Sequence, residues 1–171
     1  MLVSFEVWFD EISNKKIRNY WSLLSKHGVS DFMEKMVVFP HITLSVYREQ
    51  ISIKKIETFR KIAARVSSEN INLNSIGTFG KSNVIFLRPS DSSYLRTIKM
   101  EIEGKIIGKR LDLYNEPDWV PHCTLAMNVP ETKFSAGFQL IRKRFKPFEV
   151  RIRELVVVEC DPLKVIERIK L

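Results

Sequence analysis

The sequence predicts an α+β fold of two similar lobes, each giving one motif strand to a central cleft. Three observations carry that prediction. The run Pro40-His41-Ile42-Thr43-Leu44 returns as Pro121-His122-Cys123-Thr124-Leu125, with only the middle residue changed. Segments with strand period alternate along the chain with segments of helical period. Each half also follows one plan: a helix, a motif strand, another helix, a strand pair. At 171 residues the chain suits one domain, 1–171, made of two lobes.

The elements follow in order. Val3, Phe5, Val7 and Phe9 alternate with Ser4, Glu6 and Trp8, the pattern of a half-buried strand. A helix is expected from about Ser13, with Ile17, Tyr20, Trp21 and Leu24 on one face and Gly28 placed to end it. His27 falls in its last turn, where the helix dipole favours a positive ring, so it reads as structural. Residues 36–47 form the first motif strand. Ser52 opens a helix striped by Ile53, Ile56, Phe59, Ala63 and Val66. A hairpin follows, 71–79 and 83–88, turning at Gly80-Lys81. Asp91 or Ser92 starts a third helix with Leu95, Ile98, Ile102 and Ile106 inward, although Gly104 weakens it. The second motif strand is expected over 119–129. Pro130 and Glu131 open a fourth helix bearing Phe134, Phe138, Ile141 and Phe145, and two strands, 148–159 and 165–171, turn at Asp161-Pro162.

The motifs have a direct physical reading. In a strand, side chains at i and i+2 share a face. His41 therefore projects with Thr43, and His122 with Thr124, while Ile42, Leu44, Cys123 and Leu125 point to the core. The same parity extends the histidine faces to Ser45 and Ala126, small residues that would leave room for a ligand. Two of the chain's three histidines stand in this frame. If the strands lie side by side, two imidazoles and two hydroxyls converge. Imidazole exchanges protons near neutrality, and an acid–base pair of them suits phosphoryl transfer without a metal. The hydroxyls can hold phosphate oxygens.

Composition narrows the setting. A net charge of +8 favours anionic partners such as nucleic acid or nucleotides. Two cysteines are too few for a disulfide framework, and both Cys123 and Cys160 read as buried thiols of a reducing compartment. The first residues lack the basic stretch of a signal peptide, and no run of eighteen apolar residues exists. A cytoplasmic protein with no membrane span is expected.

The paired frames at 41 and 122, in a chain of this length and element order, resemble the 2H phosphoesterase superfamily. It includes 2′-5′ RNA ligase-like proteins, cyclic phosphodiesterases and 2′,5′-oligoadenylate phosphodiesterases. The resemblance implies a bilobal fold of two pseudo-symmetric antiparallel β-sheets with outer helices and a central cleft. It also implies catalytic roles for His41 and His122, phosphate binding by Thr43 and Thr124, and no metal or organic cofactor. The implied activity is that of a phosphodiesterase on a 2′,3′-cyclic phosphate or 2′-5′ phosphodiester of RNA or oligonucleotides. Ligation by the reverse reaction and an RNA-binding module without turnover stand as alternatives. Which histidine is the acid stays open. A metalloenzyme would need a third ligand, for which Glu6 is the one candidate. Trp8 and Tyr47 are candidates for stacking on a base, and Arg48, Lys81, Arg88 and Arg142 to Arg144 for holding RNA phosphates. A monomer is expected.

Overall fold

A computed structural model describes residues 1–36, 38–79 and 82–171. The chain runs β1 (Val3–Phe9), α1 (Glu11–Lys26), α2 (Phe32–Lys35), β2 (His41–Tyr47), α3 (Ile53–Ala63), β3 (Glu69–Thr78) and β4 (Ile85–Pro89). It continues through α4 (Ser93–Lys105), a 3-10 turn (Asp112–Tyr114), β5 (Cys123–Ala126), α5 (Glu131–Arg144), β6 (Phe148–Cys160) and β7 (Leu163–Lys170). The expected turn at Gly80-Lys81, and Lys81 as a phosphate contact, lie outside the described residues.

All seven strands pair antiparallel in the order β2-β1-β6-β3-β4-β5, with β7 on β6. The two expected sheets are two halves of this one, fused through β6. That strand is 13 residues long. Its first part pairs with β3 through Phe148–Ile152, and its later part pairs with β1 and β7. The halves are β2-β1-β6-β7 and β5-β4-β3-β6. Each carries one motif strand at its far edge.

Local chemistry explains the boundaries. Asp10 caps α1 by accepting from the Ser13 amide at 2.8 Å. At the other end the Gly28 amide bonds Ser25 O and the Val29 amide bonds Leu24 O. This termination needs a left-handed residue, and Gly28 supplies it with φ of 64°. Ser52 caps α3 through the Lys55 amide. The motif strands begin later than expected, at His41 and Cys123. Pro40 and Pro121 have no N–H to give a ladder, so regular pairing starts beyond them.

Helices cover one face of the sheet. Ile17, Trp21 and Leu24 of α1, Phe59 of α3, Leu95, Ile98 and Ile102 of α4 and Ile141 of α5 are buried in one core with Phe5, Val7, Ile42 and Leu87. Burying each such side chain stabilises the fold by about 1.5–3 kcal/mol. β1 is buried on both faces. Its other side, with Trp8, Val156 and Val158 in a separate small cluster, belongs to the half that carries His41. No helix among the described residues is long and apolar enough to cross a membrane.

Candidate active site

The motif residues take the faces that strand parity assigns. His41 lies opposite Trp8 and Thr43 opposite Glu6 in the β1–β2 pair. Thr124 lies opposite Phe86 in the β4–β5 pair. Ile42, Leu44, Cys123 and Leu125 are fully buried, whereas His41, Thr43, His122 and Thr124 keep partial exposure. One expectation fails just beyond. Glu6 pairs with Thr43 but Phe5 with Ser45, so Leu44 is skipped. Phe86 pairs with Thr124 but Ile85 with Ala126, so Leu125 is skipped. A bulge at the same place in both motifs breaks the alternation. Ser45 and Ala126 are therefore buried, not open to the cleft, and Ser45 Oγ donates to Glu103 Oε1 at 2.8 Å.

Both imidazoles are held in the same way. Nδ1 of His41 lies 2.7 Å from Phe39 O, and Nδ1 of His122 lies 2.7 Å from Val120 O. A carbonyl only accepts, so each Nδ1 carries a proton and each Nε2 is left for other work. The partner carbonyl is in both cases the one before the shared proline, whose fixed φ turns the chain ahead of the strand. The two motifs are also braced by tryptophans. Trp21 Nε1 donates to Thr124 O at 3.0 Å, and Trp119 Nε1 donates to Thr43 O at 3.1 Å. Trp21 thus ties α1 to β5, Trp119 ties the approach to β5 onto β2, and the two motif strands lie in contact. Burial pushes the Cys123 thiol up to about 12, so it stays protonated.

The two rings differ in their surroundings. His41 faces Glu6, whose Oε2 lies 3.9 Å from Nδ1. That carboxylate is buried and accepts from Ser4 Oγ at 2.5 Å and Trp8 Nε1 at 2.7 Å. His122 instead sits among rings, with Phe79 edge-on at 4.8 Å and Phe86 at 5.1 Å between centroids. Desolvation pushes the His122 pKa below its ordinary value. Its bond to the Val120 carbonyl opposes this, and the charge of His41 adds to it.

The sign of the pH effect on stability follows. The unfolded chain takes up a proton at position 122 near the ordinary histidine value, about 6.5, while the folded ring resists it. The contribution is therefore fully present above that pH and is lost as pH falls through the lower folded value. Folding stability is expected to fall on acidification from about pH 7.5 to 5.5. His122→Asn should fall less over the same interval, measured as urea midpoints at both pH values.

Two candidates for base stacking are corrected. Tyr47 is 3% exposed, packs edge-on against Phe5 and donates its hydroxyl to Ile106 O, so its ring belongs to the core. The bulge at Leu44 has taken it off the histidine face. Trp8 is 5% exposed, stacked on Phe39 and lying under the Arg168 guanidinium. Phe39 itself is 37% exposed and lies with Glu6, Trp8, His41, Leu163 and Val165 around a cleft of about 260 Å³. Sequence reading missed it, although an aromatic residue two positions before a motif histidine was visible. Tyr114, also missed, is half-buried on the 3-10 turn that packs against β2, and burial raises its pKa. Arg48, Arg88 and Arg142 to Arg144 are exposed. His27 Nδ1 bonds Leu23 O, a helix-end contact. Among the described residues no three His, Cys, Asp or Glu side chains gather as metal ligands.

Comparison with known proteins places the chain in one family. The profile of the 2′-5′ RNA ligase superfamily matches residues 30–162, so the chain belongs to that superfamily, the 2H phosphoesterases. The E. coli LigT structure complexed with 3′-AMP superposes with a TM-score of 0.62 at 13% identity, covering 99% of this chain and 96% of that one. TT0787 of Thermus thermophilus gives 0.62 at 16% identity, covering 100% and 98%. Kluyveromyces marxianus Usb1 gives 0.52 at 12% identity, covering 99% and 97%. At such identities the likeness establishes the fold. No curated protein sequence matches significantly.

Proposed function

We propose that the chain is a metal-independent phosphodiesterase acting on a 2′,3′-cyclic phosphate or a 2′-5′ phosphodiester of RNA or oligonucleotides. The observation that carries this is the matched pair of rings. Both imidazoles give Nδ1–H to a carbonyl at 2.7 Å and keep Nε2 for a substrate, each with a threonine hydroxyl on the same strand face. The superfamily membership supports phosphodiester chemistry. LigT, which shares the fold, is complexed with 3′-AMP, and this supports a ribonucleotide phosphate as ligand.

The surroundings of the rings assign their roles. His122, desolvated among phenylalanines, stays neutral near pH 7 and acts as general base. His41, with the Glu6 carboxylate 3.9 Å from its Nδ1, takes the remaining role of general acid. For a cyclic phosphate, His122 Nε2 takes a proton from water as the water oxygen forms a bond to phosphorus. The bond from phosphorus to one ribose oxygen breaks, and His41 Nε2–H protonates that oxygen. The products are a phosphomonoester and a free hydroxyl. Thr43 and Thr124 hydroxyls hold the non-bridging oxygens, and Phe39 offers an exposed ring to a base. The two imidazoles supply both proton transfers, so the scheme calls for no metal. For a 2′-5′ linkage the neighbouring 3′-hydroxyl attacks phosphorus in place of water and the 5′ oxygen leaves with a proton, giving a 2′,3′-cyclic phosphate. Run backwards, a 5′-hydroxyl opens that cyclic phosphate at its 3′ oxygen and makes the 2′-5′ bond.

The test is a panel of 2′,3′-cyclic nucleotides and 2′-5′-linked dinucleotides incubated with EDTA, with products separated by mass and by phosphate position. Turnover of at least one class with chelator present is the expected result. Binding of RNA without turnover of either class would favour a binding module instead.

A further inference from the structure

A second groove meets the His41 cleft at Phe39. It has a volume of about 810 Å³ and runs from Phe39 past the β1–α1 turn, between α1 and the β6–β7 hairpin. Five cations line it: Lys15 and Arg18 from α1, Arg153 from β6, and Arg168 and Lys170 from β7. Three carboxylates share the lining. Two of those are occupied, since Asp10 caps α1 and Glu154 accepts from Arg168 at 2.5 and 3.0 Å. The groove is therefore a basic channel, five cations against three carboxylates, with Arg168 held by Glu154. Its junction with the cleft is built of planar groups. Arg18 and Arg168 lie 5.4 and 5.5 Å from the Phe39 ring centroid, and Arg18 Nη2 donates to Val38 O at 2.8 Å, which fixes the segment carrying that ring.

An aromatic ring flanked by guanidiniums, followed by spaced cations, is the chemistry that holds a single strand of nucleic acid. Bases stack on rings and guanidinium planes, while cations follow the phosphates. A mononucleotide would fill the cleft beside His41 and leave the channel unused. We propose that this channel carries the body of a single-stranded oligonucleotide whose terminal phosphodiester lies between His41 and His122. The substrate is then a polynucleotide end and not a free nucleotide. This rests on the phosphodiesterase reading above for its turnover arm only.

The experiment compares a 2′,3′-cyclic mononucleotide with a short single-stranded RNA ending in the same cyclic phosphate. The wild-type enzyme is expected to prefer the RNA by tenfold or more in kcat/KM. The exposed triple variant Lys15→Ala, Arg153→Ala, Lys170→Ala should lose most of that preference. Its log–log salt dependence for RNA should flatten by about 2, at roughly 0.7 per lost phosphate contact on a single strand. Equal use of both substrates by the wild type, or an unchanged preference in the triple variant, would overturn the proposal. Direct binding of a fluorescent RNA ending in a 3′-phosphate separates the two readings. Salt-sensitive binding that the triple variant loses, without turnover of either substrate, upholds the channel and removes the phosphodiesterase. Binding unaffected by the triple substitution overturns the channel.

Discussion

His122→Ala and His41→Ala are each expected to lower kcat on a 2′,3′-cyclic phosphate by about a hundredfold to ten-thousandfold, the range for losing one general acid or base. KM should change little, because the threonine hydroxyls and Phe39 remain to hold the substrate. The double variant should be no worse than a few-fold below the poorer single one. Groups that act in one concerted proton transfer do not contribute independently. The two singles should also differ in kind. A substrate with a leaving group that departs without a proton should restore much of the rate to His41→Ala and little to His122→Ala, because only the acid has been made unnecessary. Steady-state kinetics on the ordinary and activated substrates reads both effects. Near-wild-type turnover by either single variant would remove the two-histidine mechanism. Rescue of His122→Ala in place of His41→Ala would exchange the roles.

How much of this was open to sequence reading depends on the range of the interaction concerned. His41 with Thr43, and His122 with Thr124, needed only strand parity over two residues, and parity held. The burial of Ser45 and Ala126 did not follow from parity, because a bulge is set by pairing with a partner strand. Phe5 and Ile85 reach past Leu44 and Leu125, and nothing local to the motifs announces that. The caps at Asp10 and Ser52 and the end at Gly28 are local signals. The cross-braces from Trp21 to Thr124 and from Trp119 to Thr43 join residues far apart in the chain. Trp8 illustrates the same limit in reverse. Alternation gave its face correctly, but Phe39 stacked upon it, and Arg168 over both, depend on how two distant segments fold across that face. The fusion of the two half-sheets through β6 required knowing that one long strand serves two partners in succession.

Replacing Lys99 by alanine is expected to cost about 3–5 kcal/mol of folding stability, the range for breaking a buried ion pair from one side. Lys99 is 1% exposed on α4, and its ammonium donates to Glu103 and, at 2.5 Å, to Tyr114 O. It also lies 5.2 Å from the centroid of the Trp119 ring. Desolvation lowers its pKa, and the Glu103 carboxylate beside it works against that loss of charge. Without the ammonium, the Tyr114 carbonyl loses its donor and a cavity opens behind Trp119. Glu103 keeps Arg110 at 2.9 Å and Ser45, which sets the cost toward the lower end of the range. In a chain of this size about 3 kcal/mol corresponds to a drop in Tm of roughly 6–12 °C. The loss should reach the site as well, because Trp119 bonds the Thr43 carbonyl and the turn carrying Tyr114 packs against β2. The variant should therefore lose phosphate affinity, seen as a higher KM at temperatures where it is still folded. Lys99→Met restores the lost volume but not the charge. It should recover part of the stability and less of the KM. Urea unfolding with unchanged m-value, together with KM on the cyclic phosphate, measures both. A loss under about 1 kcal/mol for the alanine variant would mean that water replaces the ammonium among Glu103, Tyr114 and Trp119.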